Sequence, residues 1–426
     1  MSRDALKNVW QAASLLHTNG QTTQRVILDS TRLAQTYGVD IEILPQWDDI
    51  ICRSRAHRTD STDARDWQTD IISFRPAGID MNKVALTNQV IDRVCANPDR
   101  LQPGRIESVT KELASIAALK PSSNTRFVLM AGFGAAALGV IFGVSDPLVL
   151  ALIFLTAVVG AGARRALVKM SDNLLVQPLV AALIAGLSGG FAQHIFNDGG
   201  LQFIMIAPCM ILVPGAHILN ASLDLTRGRL GLGVSRLMYC ILILLAICAG
   251  LLLGLTATGG TLASGIANAS TPLWLDIISA GIAVMAFGAF FSLPWLMLIA
   301  PVTVGMLCHG SRWLIIENGG GTALGTLIAC MIAGTAMTIL ARALKLPFAA
   351  LAFASVVSMM PGIFIFKFAD GLINIYLAGD AATLPMLTDM VAHGTAALLI
   401  VLVMTFGLIV PKMMIEGMTS KFGRKA

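Results

Sequence analysis

The pattern of apolar and polar positions changes character near residue 120. Before it, apolar residues recur with helical or alternating spacing among polar ones; after it, apolar runs long enough to cross a bilayer follow one another. Over residues 2–37, Leu6, Trp10, Leu15, Leu16, Val26, Leu28 and Leu33 keep a helical period interrupted at Thr18, Asn19 and Gly20, which predicts two helices and a turn. Short β-type runs follow at 41–44, 50–53 and 70–74. Helical patterns then occupy 81–95 and 103–119, the second with Pro103 in its first turn. This predicts a small α+β domain over residues 1–120.

Beyond it, ten apolar stretches read as transmembrane helices at about 127–143, 147–163, 174–196, 201–223, 237–255, 273–291, 293–310, 322–340, 347–373 and 390–411. Pro147, Arg165 and Pro214 have counterparts at Pro294, Arg312 and Pro361, each 147 residues on, and Leu212-Val213-Pro214-Gly215 answers Met359-Met360-Pro361-Gly362. Such a period predicts one structural unit used twice. Each copy holds five spans, an odd number, so the second enters the membrane from the opposite side, as in the inverted repeats of secondary transporters. The expected architecture is an α-helical integral membrane protein with two five-helix inverted repeats, 121–258 and 259–426, behind the α+β domain.

Charge orients this arrangement. Residues 1–120 hold 15 of the chain's 30 Lys and Arg and 15 of its 25 Asp and Glu, so the net charge of +5 belongs to the other 306 residues. With the head in the cytoplasm, the cytoplasmic connections and tail hold Arg164, Arg165, Lys169, Arg227, Arg229, Arg236, Arg342, Lys345, Lys412, Lys421, Arg424 and Lys425, against Arg312 and Lys367 opposite. That bias predicts cytoplasmic N- and C-termini. No cleavable signal peptide opens the chain, the seven cysteines are scattered, and the charge-balanced head offers no basic stripe for nucleic acid.

A Pro-Gly pair inside an apolar run removes a backbone donor and admits an altered backbone. The fourth and ninth spans are therefore expected to break at Pro214-Gly215 and Pro361-Gly362, near the midplane. Just past the breaks, His217, Asn220 and Asp224 share one helix face, and Lys367, Asp370 and Asn374 share another. Ionisable groups within spans face a cavity or a partner, although Asp224 and Lys367 also suit helix ends snorkelling to the interface. Pro214, Gly215, His217, Asn220, Asp224, Pro361, Gly362, Lys367, Asp370 and Asn374 form the candidate substrate site, with His217 and Asp370 as candidates for a coupled proton. Asp276 and Glu317 read as interfacial. Glycines four apart, Gly139/Gly143, Gly186/Gly190 and Gly321/Gly325, read as helix-packing faces that also permit oligomers. The run from His57 to Asp66, with Asp60 and Asp63, reads as a solvated loop rather than a metal site, because Arg58 and Arg65 intersperse its carboxylates.

The run Leu212-Val213-Pro214-Gly215-Ala216-His217-Ile218-Leu219-Asn220, followed by Asp224-Leu225 and Gly228, resembles the signature of the bacterial threonine/serine exporter family. The head adds Gly20-Gln21-Thr22-Thr23-Gln24-Arg25-Val26, Arg32-Leu33-Ala34 and Tyr37-Gly38-Val39. The resemblance covers essentially the whole chain and implies proton-driven export of small hydroxy amino acids across the inner membrane, with the lipid bilayer, protons and an amino acid as partners and with no cofactor or metal. In some relatives the halves are separate polypeptides, and split relatives are associated with dicarboxylate export. Arg227 and Arg229, where relatives often carry acidic or neutral residues, keep a succinate-like cargo open. A membrane-anchored sensor is a third reading. No nucleophile–base pair, metal spacing or phosphate loop suggests an enzyme.

Overall fold

The computed structural model describes residues 3–56, 67–74, 78–97, 103–196, 200–262 and 271–422; the charged run 57–66 lies outside the described residues. The head comprises α1 (Arg3–Thr18), α2 (Thr23–Thr36), β1 (Val39–Pro45), β2 (Asp49–Ala56), β3 (Gln68–Ser73), α3 (Met81–Cys95) and α4 (Pro103–Ala118). The strands form an antiparallel meander in the order β1-β2-β3, with Ile43 opposite Cys52 and Pro45 opposite Ile50. Alternation puts Val39, Ile43, Ile50 and Cys52 on the covered face, against Val9, Leu16, Val26, Leu33, Ile91 and Leu113 from the helices. Asp80 starts α3 by accepting from the Lys83 amide at 3.1 Å.

The apolar part comprises α5 (Asn124–Ile141), α6 (Pro147–Leu167), α7 (Val176–Ile195), α8 (Phe203–Met210), α9 (Gly215–Thr226), α10 (Leu230–Ala257), α11 (Leu273–Phe290), α12 (Ile299–Glu317), α13 (Thr322–Leu344), α14 (Phe348–Val356), α15 (Gly362–Ala378) and α16 (Leu384–Phe422). Among the described residues nine helices are long and apolar enough to cross a membrane, and α8 with α9, bent by 46°, makes a tenth. The stretch expected as a ninth span divides into the short α14 and the longer α15, which runs on to Ala378 through Leu372 and Leu377.

Glycine lets α7 and α10 touch backbone to backbone. A Cβ on Gly186 would lie 2.2 Å from the Leu251 carbonyl oxygen, and one on Gly250 2.2 Å from that of Leu179. The four-residue glycine spacing is thus a packing face here. Gly143 instead turns the chain between α5 and α6, at φ +89°.

The head marks which helix ends lie together. It touches the loop after α11 (Met81 amide to the Phe291 carbonyl, 2.8 Å), the loop after α13 (Asn88 Nδ2 to the Lys345 carbonyl, 2.9 Å) and the loop after α9 (Arg229 to Gln24 Oε1, 2.7 Å). Glu416, late in α16, pairs with Arg227 at 2.6 Å and so ends on the same side. On the far side, Thr271 bonds the Val140 carbonyl, Trp313 bonds the Thr271 carbonyl and Gln193 bonds that of Thr261. This alternation is what ten crossings produce, with α14 and α15 sharing one. Hence α8–α9 runs toward the head and α14–α15 away from it.

The neighbours also correspond. α6 packs on α5, α7 and α8, and α10 on α7 and α9; six helices later, α12 packs on α11, α13 and α14, and α16 on α13 and α15. The two sets meet along α5 and α11 and at the broken helices.

Candidate functional site

Both breaks fall at the Pro-Gly pairs. The chain leaves helix after Met210 and re-enters at Gly215 with Pro214 as N-cap; a 3-10 turn ends at Met359, and helix resumes at Gly362 with Pro361 as N-cap. Neither restart has a side-chain cap, so its first amide groups are not satisfied in that way. A Cβ on Gly215 would fall 1.8 Å from Phe353 of α14, and one on Gly362 2.6 Å from Met210 of α8. Each break therefore rests on the first arm of the other broken helix. Those arms, α8 and α14, are buried at every position. Ser358, in the turn before the second break, is 3% exposed, and its hydroxyl has no hydrogen-bond partner among the described residues.

From its break α9 runs to the head, and its polar face meets head residues. The Asp224 carboxylate, 3% exposed, accepts from Arg236 Nη1 at 2.6 Å and from Thr23 Oγ1 at 3.0 Å, with Arg229 Nη1 at 3.5 Å. Asn220 Nδ2 donates to the Gly20 carbonyl at 3.3 Å, while its Oδ1 is buried without a partner among the described residues. Trp47, at the β1–β2 turn, lies with its ring 6.4 Å from His217 and 4.8 Å from Tyr239. His17 supports that turn by donating from Nε2 to the Gln46 carbonyl at 3.0 Å, since a carbonyl only accepts. Burial, reinforced by the positive charge of Arg236, lowers the His17 pKa to about 3 and keeps the ring neutral. The turn at residues 20–24 and Trp47 thus close the head-side end of α9.

The face beyond the second break points the other way. Lys367 is buried on α15, Asp370 one turn on is half-buried, and Asn374 donates to Asp370 Oδ2 at 2.9 Å. His393 of α16 faces this region, its ring 6.0 Å from Phe364. At about 1.5 Å per residue, Asp224 stands ~14 Å headward of Gly215 and Asp370 ~12 Å beyond Gly362 toward the far side. The structure seats each Pro-Gly break against the first arm of the other broken helix and sets the two polar faces on opposite sides of that crossing. Asn220 and Lys367, 147 residues apart, hold the same position past their breaks.

Other participants escape sequence reasoning. Thr23 and Trp47 reach the site through the docking of the head and Tyr239 through the packing of α10 on α9, and spacing along the chain does not show these meetings. Asp276, expected at the interface, is instead 4% exposed and bonded to His309 Nδ1 at 2.5 Å. Arg227 and Arg229, expected to give a basic mouth, are engaged by Glu416, Gln24 and Asp224.

Residues 7–258 match a family model described as a threonine/serine exporter, and residues 276–414 match a second, described as threonine/serine exporter, ThrE. The seam between the two matches falls in the connection from α10 to α11. No curated protein and no solved structure matches the chain. The first match takes in the head and the first broken helix and the second takes in the other, so the chain belongs to the threonine/serine exporter family, with both of its halves fused in one multi-pass membrane polypeptide.

Proposed function

We propose that the chain is a secondary transporter that exports threonine and serine across the bacterial inner membrane in exchange for protons, alternating access around the crossing of its two broken helices. The reciprocal seating of the breaks, Gly215 on Phe353 and Gly362 on Met210, carries this reading. The two halves are inverted copies: the 147-residue spacing, the matched neighbours and the opposed directions of the broken helices support it. The net positive loops gather on the head side, which supports a cytoplasmic head and cytoplasmic termini.

A zwitterion suits such a crossing. The amino ends of α9 and α15 attract its carboxylate, the carboxyl ends of α8 and α14 attract its ammonium, and the Ser358 and Asn220 oxygens are available to its hydroxyl. Asn220 and Asp224 then line the cytoplasmic path and Lys367, Asp370 and Asn374 the path opposite, with His217 and Asp370 as titratable groups along them. A dicarboxylate finds less support, because the arginines at the mouth already have acidic or amide partners. With the head docked the cytoplasmic mouth is closed, and substrate reaches α9 when the head shifts.

Counterflow of radiolabelled threonine in liposomes tests the cargo. Competition by serine and none by succinate is expected; competition by succinate alone moves the cargo to dicarboxylates, and no flux overturns the transporter reading.

A further inference from the structure

A second buried polar cluster lies on α11 and α12, away from the two polar faces past the breaks. His309 on α12 is 1% exposed and Asp276 on α11 is 4% exposed, and they meet at 2.5 Å between Nδ1 and Oδ2. An ionised carboxylate only accepts, so Nδ1 carries the hydrogen, and in the neutral ring Nε2 is then a bare acceptor. That Nε2 is buried and has no partner among the described residues. One turn along, Arg312 lies within electrostatic range of Asp276 and donates from Nε to Thr326 Oγ1 at 3.3 Å. The remaining titratable groups on the packed elements near the pair are the buried thiols of Cys308 and Cys330; α14 contributes none. In an apolar bilayer a buried acid, base and guanidinium are costly and call for a function.

We propose that His309 Nε2 binds a proton in the transport cycle, alongside the titratable groups of the substrate path, with Asp276 as its positioning residue. This inference rests on the proton-coupled reading above. Proton uptake converts the neutral ring to an imidazolium, which the Asp276 carboxylate stabilises; before uptake, Arg312 balances that carboxylate. Its place in the fold suits a proton taken from the far side, the side to which an exporter releases substrate. Asp276 is three residues from the far-side start of α11, and His309 is eight from the far-side end of α12. The pair also adjoins the moving part. One turn before His309, Gly305 packs so closely that a Cβ would lie 3.1 Å from the Ser355 carbonyl oxygen near the end of α14. Charge gained at His309 therefore acts one helical turn from the arm that leads into the second break.

The test uses the full chain in proteoliposomes, comparing wild type with Asp276→Asn and His309→Gln for two activities of radiolabelled threonine. One is net flux driven by a pH gradient, and the other is threonine/threonine counterflow without a gradient. Both variants are expected to lose gradient-driven flux by about tenfold or more while counterflow stays within about threefold, as for a lost coupling free energy. The glutamine keeps a donor toward Asp276 without a titrating nitrogen, so it carries the test if the asparagine variant does not fold. Unchanged gradient-driven flux in folded variants, or equal loss of both activities, overturns the assignment. Wild-type flux indifferent to the gradient overturns the proton-coupled reading itself, and the wild type alone tells the two failures apart.

Discussion

Removing the Asp224 carboxylate is the sharpest test of how the head is held. In Asp224→Ala, Arg236, with 5% of its side chain exposed, loses the partner 2.6 Å away, and Thr23 loses its acceptor. Stranding one member of a buried pair costs about 3–5 kcal/mol, in which the lost Thr23 bond is already entangled. At about 1.4 kcal/mol per tenfold, that is a factor of ~100 or more in the head's docking equilibrium. Hydrogen exchange of the protein in lipid nanodiscs reads it directly, because the Gln21 amide at the docked turn bonds the Leu16 carbonyl and reports on local opening. Exchange at residues 20–24 should rise by about two orders of magnitude while α7 and α10 stay protected. Replacing both partners, Asp224→Ala with Arg236→Met, should recover much of the protection, since an apolar pair leaves no stranded charge. Exchange at the turn unchanged within about threefold, or a rise spread over every helix, would refute the reasoning.

Other outcomes follow from the same geometry. His17 titrates at about 6.5 when free and near 3 when buried, so between these values only the released form takes up a proton. Head stability is then full above pH ~6.5 and falls as pH drops, by at most about 1.4 kcal/mol per unit, and melting from pH 7.5 to 5 should show a slope that His17→Gln removes. Gly215→Ala drives a methyl into Phe353 and should cost about 1–3 kcal/mol, lowering Tm and flux together. Phe353→Ala in that background should restore part of the loss. Gly362→Ala meets only the flexible Met210 side chain and should do less harm.

What the sequence made legible is what local backbone chemistry decides. Both Pro-Gly breaks were readable because proline removes a donor wherever it stands, and the head's helices and strands were readable because their apolar period is short-range. The polar faces were harder. Spacing put His217, Asn220 and Asp224 on one side of a helix and the charge bias set Lys367 opposite the head, but the contacts of Asn220 with Gly20 and of Asp224 with Thr23 and Arg236 appear only in the fold. Partners separated along the chain left no trace: Asp224 meets Thr23 across 201 residues, and Asp276 meets His309 across 33. Asp276 looked interfacial because it stands near a helix start, and a burial that depends on α12 is not written near it.

The central claim is that the crossing of the two breaks opens to each side in turn around a shared substrate. In a background lacking the seven cysteines, Val213→Cys and Met360→Cys, one in each unwound segment, can be challenged with a membrane-impermeant maleimide from either face of the bilayer. The account predicts that each position is labelled from both faces and that threonine protects both from either side. Labelling confined to one face, or labelling that threonine leaves untouched at both positions, would contradict it.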